Sequence, residues 1–528
     1  MLVENELETK TSTKGLAAII GASSVGTLIE WYDFYIFGSL ATIIATQFFP
    51  KDNPTAAFLS TLATFAAGFV VRPFGALFFG RLGDLIGRKY TFMVTLILMG
   101  GATFAIGLVP KFETIGYFAP FLVLVLRLLQ GLALGGEYGG AATYVAEHSP
   151  KGQRGFWTSW IQITATAGLF ISLGVILITK NSMEKAAWED WGWRIPFLVS
   201  IVMVYISVLI RKNMAESPLF AKAKAEGKTS TNPLKESFGK KENFKMVLLA
   251  LFGATMGQGV VWYTGQFYAQ TFLLKIMNID FDQANKLLII ALMMGTPFFV
   301  LFGWLSDKVG RKPIMLAGML LAVICYRPIY EKMYQTGNLA NKVEITADTK
   351  VEVKRDLAPK STTDSLITTT TTKAYEDGAT YKEVKKLTIV AGAAEADQPK
   401  ADITKTIKIN DSDTWVLIWM IFIQLIFVTM AYGPIAAFLV ELFPVKIRYT
   451  SMSLPYHIGN GIFGGLMPAI ATYLVTTAKD ANSVAEKAGQ AVVNAQPYLE
   501  GLKYPMIVAA ICFVIGLIYI KEDRSVRD

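Results

Sequence analysis

The sequence predicts an all-α membrane protein of twelve transmembrane helices, arranged as two pseudo-symmetric six-helix halves. Three observations carry that prediction. The 528 residues are 53% hydrophobic and 17% charged, with a mean hydropathy of +0.41, the composition of a chain that lives in lipid. Apolar stretches of the roughly 20 residues needed to cross a ~30 Å hydrocarbon core recur along nearly the whole chain. Short segments from the first half return at corresponding places in the second.

The first six spans fall near 16–48 (α1), 55–80 (α2), 90–109 (α3), 117–146 (α4), 156–179 (α5) and 195–210 (α6). The second six fall near 246–274 (α7), 284–305 (α8), 314–330 (α9), 414–442 (α10), 450–476 (α11) and 504–520 (α12). The runs are continuous rather than alternating, and lipid leaves no backbone group unpaired, so helices are expected and a barrel is not. The even-numbered connections and the two tails hold more than twice the Lys and Arg of the short odd-numbered connections, which places both termini and the even connections in the cytoplasm. The net charge of +9 is thus a topology signal, and no nucleic-acid partner is expected. The mixed-charge start of the chain and the long first apolar run read as a retained anchor, not a signal peptide.

Cys325 and Cys512 each lie within an apolar run, and neither His148 nor His457 has a neighbour at ligand spacing, so neither a disulfide framework nor a metal site is expected. Without a phosphate-cradling loop, ATP is not expected to supply energy. With neither a nucleophile-and-base pair nor a metal cluster in the helices, an enzyme is not expected either.

The repeat organises the chain. After α2 the sequence runs Gly80-Arg-Leu-Gly-Asp-Leu-Ile-Gly-Arg-Lys89, and after α8 it runs Gly303-Trp-Leu-Ser-Asp-Lys-Val-Gly-Arg-Lys312, agreeing at six of ten positions. After α4 and α10, Glu147, Pro150 and Arg154 are matched at identical spacing by Glu441, Pro444 and Arg448. The two motifs are 67 residues apart in the first half and 138 in the second, an excess of 71 that marks an insertion. It is polar, lies outside the membrane and contains the threonine run 368–372; short alternating pieces at 342–353 and 385–390 suggest strands, leaving a small β element, a flexible hairpin and a disordered loop all open. The expected organisation is a cytoplasmic tail (1–14), an N-terminal bundle (15–212), a cytoplasmic linker (213–245), a C-terminal bundle (246–330 and 414–520), an extracytoplasmic insertion between α9 and α10 (331–413) and a second tail (521–528).

The Gly80–Lys89 segment and its copy resemble the loop signature of the major facilitator superfamily. Gly26-Thr-Leu-Ile-Glu-Trp-Tyr-Asp-Phe34, Arg127-Leu-Leu-Gln-Gly131, Gly135-Gly-Glu-Tyr-Gly-Gly140, Trp191-Gly-Trp-Arg-Ile-Pro196 and Glu441-Leu-Phe-Pro-Val-Lys-Ile-Arg448 narrow the resemblance to the metabolite:proton symporter family, which includes α-ketoglutarate, shikimate, citrate and proline/betaine permeases. The resemblance covers nearly all the membrane region and leaves out 331–413. It implies a secondary active transporter of the bacterial inner membrane, working by alternating access, with a small organic acid as substrate and the proton, not a cofactor, as coupling ion. A zwitterionic osmolyte such as proline or betaine, uncoupled carriage, and a receptor without transport are the alternatives. A monomer is expected to suffice.

Ionisable side chains in mid-membrane cost about 2.5–3.5 kcal/mol on insertion scales and mark function more often than not. Glu30 and Asp33 are three apart on one face of α1, with Tyr35 nearby, and offer a proton acceptor; an ion pair between helices is the competing reading. On α4, Arg127, Gln130, Leu134 and Glu137 fall within about 80° of arc, a polar stripe facing the pore. Arg127 matches the family's helix 4 arginine, which the resemblance links to proton coupling. Gly131, Gly135 and Gly139 run beside the stripe at the spacing that lets another helix approach. Tyr35 on α1, Arg72 on α2, Gln130 and Tyr138 on α4, Gln258, Trp262 and Gln266 on α7, and Tyr456, His457 and Asn460 on α11 are the candidate substrate contacts, core packing being the rival for each. Asp84, Arg88, Glu147 and Arg154, with Asp307, Arg311, Glu441 and Arg448 as the second set, sit at the cytoplasmic face. The family pattern implies that they gate it by ion pairs between halves.

Overall fold

The computed structural model describes residues 13–50, 54–212, 215–357, 364–390 and 401–522. Most of both expected tails therefore lies outside the described residues. Among the described residues, eleven helices are long and apolar enough to cross a membrane, and a twelfth span results if the bent first pair counts as one. That pair is Thr13–Ser39 and Ala41–Phe48 (α1), turning through 66° directly after Gly38 and Ser39, small residues that tolerate a kink. α2 is likewise built from Pro54–Val70 and Arg72–Leu85, the second segment starting with Pro in its first turn. The N-terminal half continues with α3 (Arg88–Leu108), α4 (Phe118–His148), α5 (Arg154–Asn181) and α6 (Gly192–Lys212). The C-terminal half holds α7 (Lys241–Ile276), α8 (Phe281–Val309), α9 (Arg311–Gly337), α10 (Asp411–Leu442), α11 (Val445–Lys487) and α12 (Pro497–Tyr519). α9 and α11 outrun their apolar cores because polar residues can extend a helix beyond the bilayer, where hydropathy no longer marks the end.

Glycine shapes the repeat and the crossings. Gly87 and Gly310 hold equivalent motif positions and both take positive φ, +131° and +126°, a conformation that suits glycine and lets α2 and α8 stop where α3 and α9 begin. A Cβ on Gly131 would lie 2.1 Å from the Gly68 carbonyl oxygen, and one on Gly135 2.3 Å from that of Arg72, so these two glycines bring α4 against α2 as the spacing predicts. α7 carries π-helical turns at Leu251–Thr255, Thr264–Tyr268 and Phe272–Ile276, and α11 one at Gly459–Gly464. Such turns often mark functional stretches.

The insertion folds, and the β alternative is the one observed. Strands β1 (Glu344–Leu357), β2 (Ser365–Tyr375), β3 (Thr380–Ile389) and β4 (Asp402–Lys408) form an antiparallel meander in the order β1-β2-β3-β4. The threonine run is the middle of β2, where β-branched side chains fit a pleated surface. The base of the sheet is tied to the helical body. Ile407 exchanges backbone hydrogen bonds of 2.8 Å with Asn278 and Asp280 between α7 and α8, and Lys342 pairs with Asp377 and with Asp413 at the start of α10.

Candidate functional site

Inside the N-terminal half, four side chains from three helices make one hydrogen-bonded chain. Arg127 on α4 donates to Gln130 at 2.9 Å, Gln130 donates to Thr103 on α3 at 2.5 Å, and Thr103 donates to Asp33 on α1. The Arg127 guanidinium lies over Phe37, 4.2 Å from the ring centre, and beside Phe65, a position that favours a cation out of water. Among the described residues, Asp33 Oδ1 and Arg127 Nε are buried with no hydrogen-bond partner, so the chain keeps capacity for another proton or ligand atom. Glu30 is 7% exposed and has Arg72 and Glu137 as its electrostatic neighbours. The Arg72 guanidinium stacks on Phe69 at 4.2 Å. Tyr35 packs against Trp31 and Phe34.

Glu137 is placed differently from Glu30 and Asp33. It accepts from Arg211 at 2.8 Å and from Thr95 at 2.8 Å, forming a buried ion pair within the N-terminal half, while Arg211 also donates to the Phe92 carbonyl at 2.7 Å. Arg211 lies at the end of α6, where the sequence read it as one of many positive-inside charges.

The facing wall comes from α7, α10 and α11. Gln258 and Asn460 exchange two amide hydrogen bonds of 3.1 and 3.0 Å where α7 and α11 meet through glycine: a Cβ on Gly259 would lie 2.4 Å from the Gly459 oxygen. The rings of Tyr456 and Tyr138 stack across the halves, centres 3.7 Å apart and 3° from parallel. Tyr456 also shares a 2.6 Å hydrogen bond with Tyr432, and Gln162 donates to Tyr138 at 2.9 Å. Trp262 meets Trp31 of the other half at 5.1 Å, its indole N–H buried without a partner among the described residues. His457 is 2% exposed on α11 with Arg72 as an electrostatic neighbour. Gln266 is buried on α7. Of the predicted contacts, Tyr138 meets Tyr456 and Trp262 meets Trp31 across the halves, while Thr103, Trp31, Tyr432 and Arg211 are partners of predicted residues that were not singled out. A threonine or tryptophan in an apolar helix carries no signal until the helix is rotated into place.

At the end with the even-numbered connections, the repeat builds two equivalent clusters. Asp84 pairs with Arg88 at 3.1 Å and also accepts from the backbone amide of Thr450, 2.9 Å away, in the first turn of the helix starting at Arg448. Asp307 pairs with Arg311 at 2.5 Å and accepts from the amides of Gly155 and Phe156, each 2.8 Å away, in the first turn of α5. Each aspartate thus caps a helix of the opposite half, where exposed N–H groups and the helix dipole favour negative charge. Across the halves, Arg448 pairs with Glu147 at 2.8 Å and Arg88 donates to the Val445 carbonyl at 2.7 Å. Arg154 meets Glu441 at 3.9 Å, and Glu441 also pairs with Arg311 at 3.0 Å. Glu216 and Glu522, after α6 and α12, extend the symmetry by accepting from the first amides of α3 and α9, at Arg88 and Arg311. This end of the molecule is closed.

The family model "Sugar (and other) transporter" matches residues 18–235. The alpha-ketoglutarate permease of Escherichia coli (strain K12) is 35% identical over 63% of this chain and 76% of the relative. The inner membrane metabolite transport protein YhjE of the same organism is 30% identical over 87% of this chain and 88% of the relative. The chain belongs to the major facilitator superfamily. The chain is also 35% identical to the proline/betaine transporter of Escherichia coli (strain K12) over 60% of its length, and the match spans 64% of that relative. Its fold is shared by the solved structure of the proton:xylose symporter XylE bound to 6-bromo-6-deoxy-D-glucose, with a TM-score of 0.62, 15% identity and coverage of 95% and 96% of the two chains. It has the fold of a multi-pass membrane protein, and its relatives include two of the permease classes that the helix motifs resemble.

Proposed function

We propose that this protein is a proton-coupled symporter of a small organic acid in the bacterial cytoplasmic (inner) membrane, with both termini and the even-numbered connections on the cytoplasmic side. One observation carries the reading: Glu30, Asp33, Arg72 and Arg127, two acids and two bases, gather in the buried N-terminal wall. With both acids ionised the group is neutral. Protonating either leaves a guanidinium uncompensated in a medium of low dielectric, and an anion then has a partner it lacked. Proton and organic anion thus load together, with Glu30 or Asp33 as proton carrier, Arg127 tuning Asp33 through Gln130 and Thr103, and Arg72 with the α7 and α11 side chains meeting substrate. Glu137 serves from within its pair with Arg211. Rocking of one half against the other then moves the site between the two sides, and the gate clusters close the inner one. A single chain suffices, with no cofactor beyond the proton.

The aromatic lining from Trp31, Tyr138, Trp262 and Tyr456 favours a second reading, a zwitterionic osmolyte such as betaine or proline, because aromatic faces attract a cationic head and one relative is a proline/betaine transporter. Uptake into proteoliposomes under an inward proton gradient separates the readings, using labelled α-ketoglutarate, citrate, shikimate, a short monocarboxylate, proline and betaine, each with and without protonophore. Protonophore-sensitive accumulation of an acid supports the first reading. Accumulation of betaine or proline alone moves the assignment to the second, and equilibration unaffected by protonophore rejects coupling.

A further inference from the structure

Tyr449 is fully buried, and it belongs to α11 of the C-terminal half, yet its ring is housed by glycines of the N-terminal half. A Cβ on Gly83 would lie 2.1 Å from its Cδ1, one on Gly140 2.6 Å from its hydroxyl oxygen, and one on Gly139 3.0 Å from its Cε2. A Cβ on Gly80 would lie 2.9 Å from the Cα of the next residue, Thr450. Gly80, Gly83, Gly139 and Gly140 all sit inside helices at negative φ, so no special backbone conformation asks for glycine there; what they supply is room. Helices lose stability for each such residue, and here the room at Gly83 and Gly140 is filled by the Tyr449 ring, with Ser453 and the Thr450 backbone of the same helix against Gly139 and Gly80. The ring's hydroxyl donates to the carbonyl of Gly136 on α4, one residue before Glu137. Glu137, Arg211, Asp84 and Arg88 all lie within electrostatic reach of the phenol, which therefore adjoins both the Glu137–Arg211 pair and the gate cluster.

We propose that Tyr449 is the plug of the end that carries the even-numbered connections. Seated in the glycine socket, it keeps that end shut and holds water away from the Glu137–Arg211 pair. The halves can part there only as the ring withdraws, and its withdrawal opens the socket at the depth of Glu137. Tyr449 is a positioning residue that links gate and interior; it is not a substrate contact. The inference rests on the alternating-access part of the proposed function and on neither the substrate nor the proton, so a failed uptake assay leaves it standing.

The socket geometry makes an unusual prediction. A methyl at Gly140 collides with the hydroxyl oxygen, whereas the ring carbon behind it is 3.2 Å away, so Tyr449→Phe relieves much of the overpacking that Gly140→Ala creates. The test is the rate at which a soluble maleimide alkylates Thr143→Cys, a fully buried α4 position facing Met452 of the other half. Cys512, buried inside the C-terminal half against Gly257, reports unfolding in the same sample by mass spectrometry. Gly140→Ala is expected to speed alkylation at position 143 about tenfold with Cys512 unchanged. Tyr449→Phe alone speeds it about three- to tenfold, through loss of the hydrogen bond to Gly136. The double variant returns to the rate of Tyr449→Phe alone. The proposal is overturned if Gly140→Ala has no effect, if the two effects multiply, or if Cys512 accelerates in step with position 143.

Discussion

Replacing Glu147 with Gln tests how much the gate cluster holds one state of the molecule. Glu147 accepts from Arg448 of the other half at 2.8 Å, from Ser217 of the linker, and lies 3.6 Å from Arg88 of its own half. Breaking a buried pair by removing one partner costs about 3–5 kcal/mol in total. Ser217 and Arg88 travel with Glu147 when the halves separate, however, so only the contact to Arg448 differs between closed and open states. A charge-assisted hydrogen bond is worth about 1.5–3 kcal/mol, and each 1.4 kcal/mol is tenfold in an equilibrium. Glu147→Gln should therefore move the closed-to-open ratio by roughly ten- to a hundredfold towards opening at the even-numbered end. Arg448→Gln should do much the same, and the double variant should open less than the sum of the two, with a coupling of about 1–3 kcal/mol. Spin labels at Lys151→Cys and Lys308→Cys, exposed positions on opposite halves, read the separation in a background lacking Cys325. An unchanged distance distribution in both single variants would refute the argument, as would strict additivity in the double variant.

Asp33→Asn should abolish accumulation driven by a proton gradient while sparing exchange of labelled for unlabelled substrate across proteoliposomes; Glu30→Gln serves as the matched comparison, and the carboxylate whose loss separates the two activities is the proton carrier. Gly26→Ala should force the Glu137–Arg211 pair apart, since its Cβ would lie 1.7 Å from the Arg211 guanidinium and 2.1 Å from a Glu137 carboxylate oxygen, and so lower the thermal unfolding midpoint; an unchanged midpoint would contradict this. At the base of the sheet, burial opposes the charged form of Asp377, but hydrogen bonds from Lys342, the Ala379 amide and Asn410 hold its carboxyl below the usual carboxylate range. A depressed carboxylate contributes stability above its unfolded pKa and loses it as pH falls through the folded value, so acid below about pH 4 should loosen the sheet. Hydrogen exchange of 401–410 across pH 3–7 measures the loosening, which Asp377→Asn should make independent of pH.

The helical architecture was legible because lipid allows few solutions: an apolar run of membrane length must pair its own backbone, whatever its neighbours do. The copied loop motif was equally readable, and Asp84 and Asp307 do occupy equivalent places. What they do there was less readable. Capping the opposite half's helix depends on where Thr450 and Gly155 arrive, and no spacing within one motif encodes that. In the insertion, alternation at 342–353 and 385–390 pointed to strands that became parts of β1 and β3, while the threonine run looked like a polar tract because β-branched residues are equally at home in both. α1 read as a single span because its kink follows only the small pair Gly38 and Ser39, which hydropathy does not register.

Among candidate site residues, Glu30, Asp33, Arg72 and Arg127 announced themselves because an ionised group in an apolar helix is costly wherever the helix packs. Glu137 announced itself equally, but its partner Arg211 did not, because a basic residue at the end of a span looks like a topology signal until the fold brings it to α4. Tyr449 gave no signal at all, being one aromatic among many. The sequence by itself determined the membrane class, the two halves and which residues carry buried charge, since each follows from local composition and spacing against a fixed solvent. Only the tertiary structure decided which charges neutralise one another, which glycines are sockets and which end of the molecule is shut, because those depend on angstrom-scale contacts between segments hundreds of residues apart.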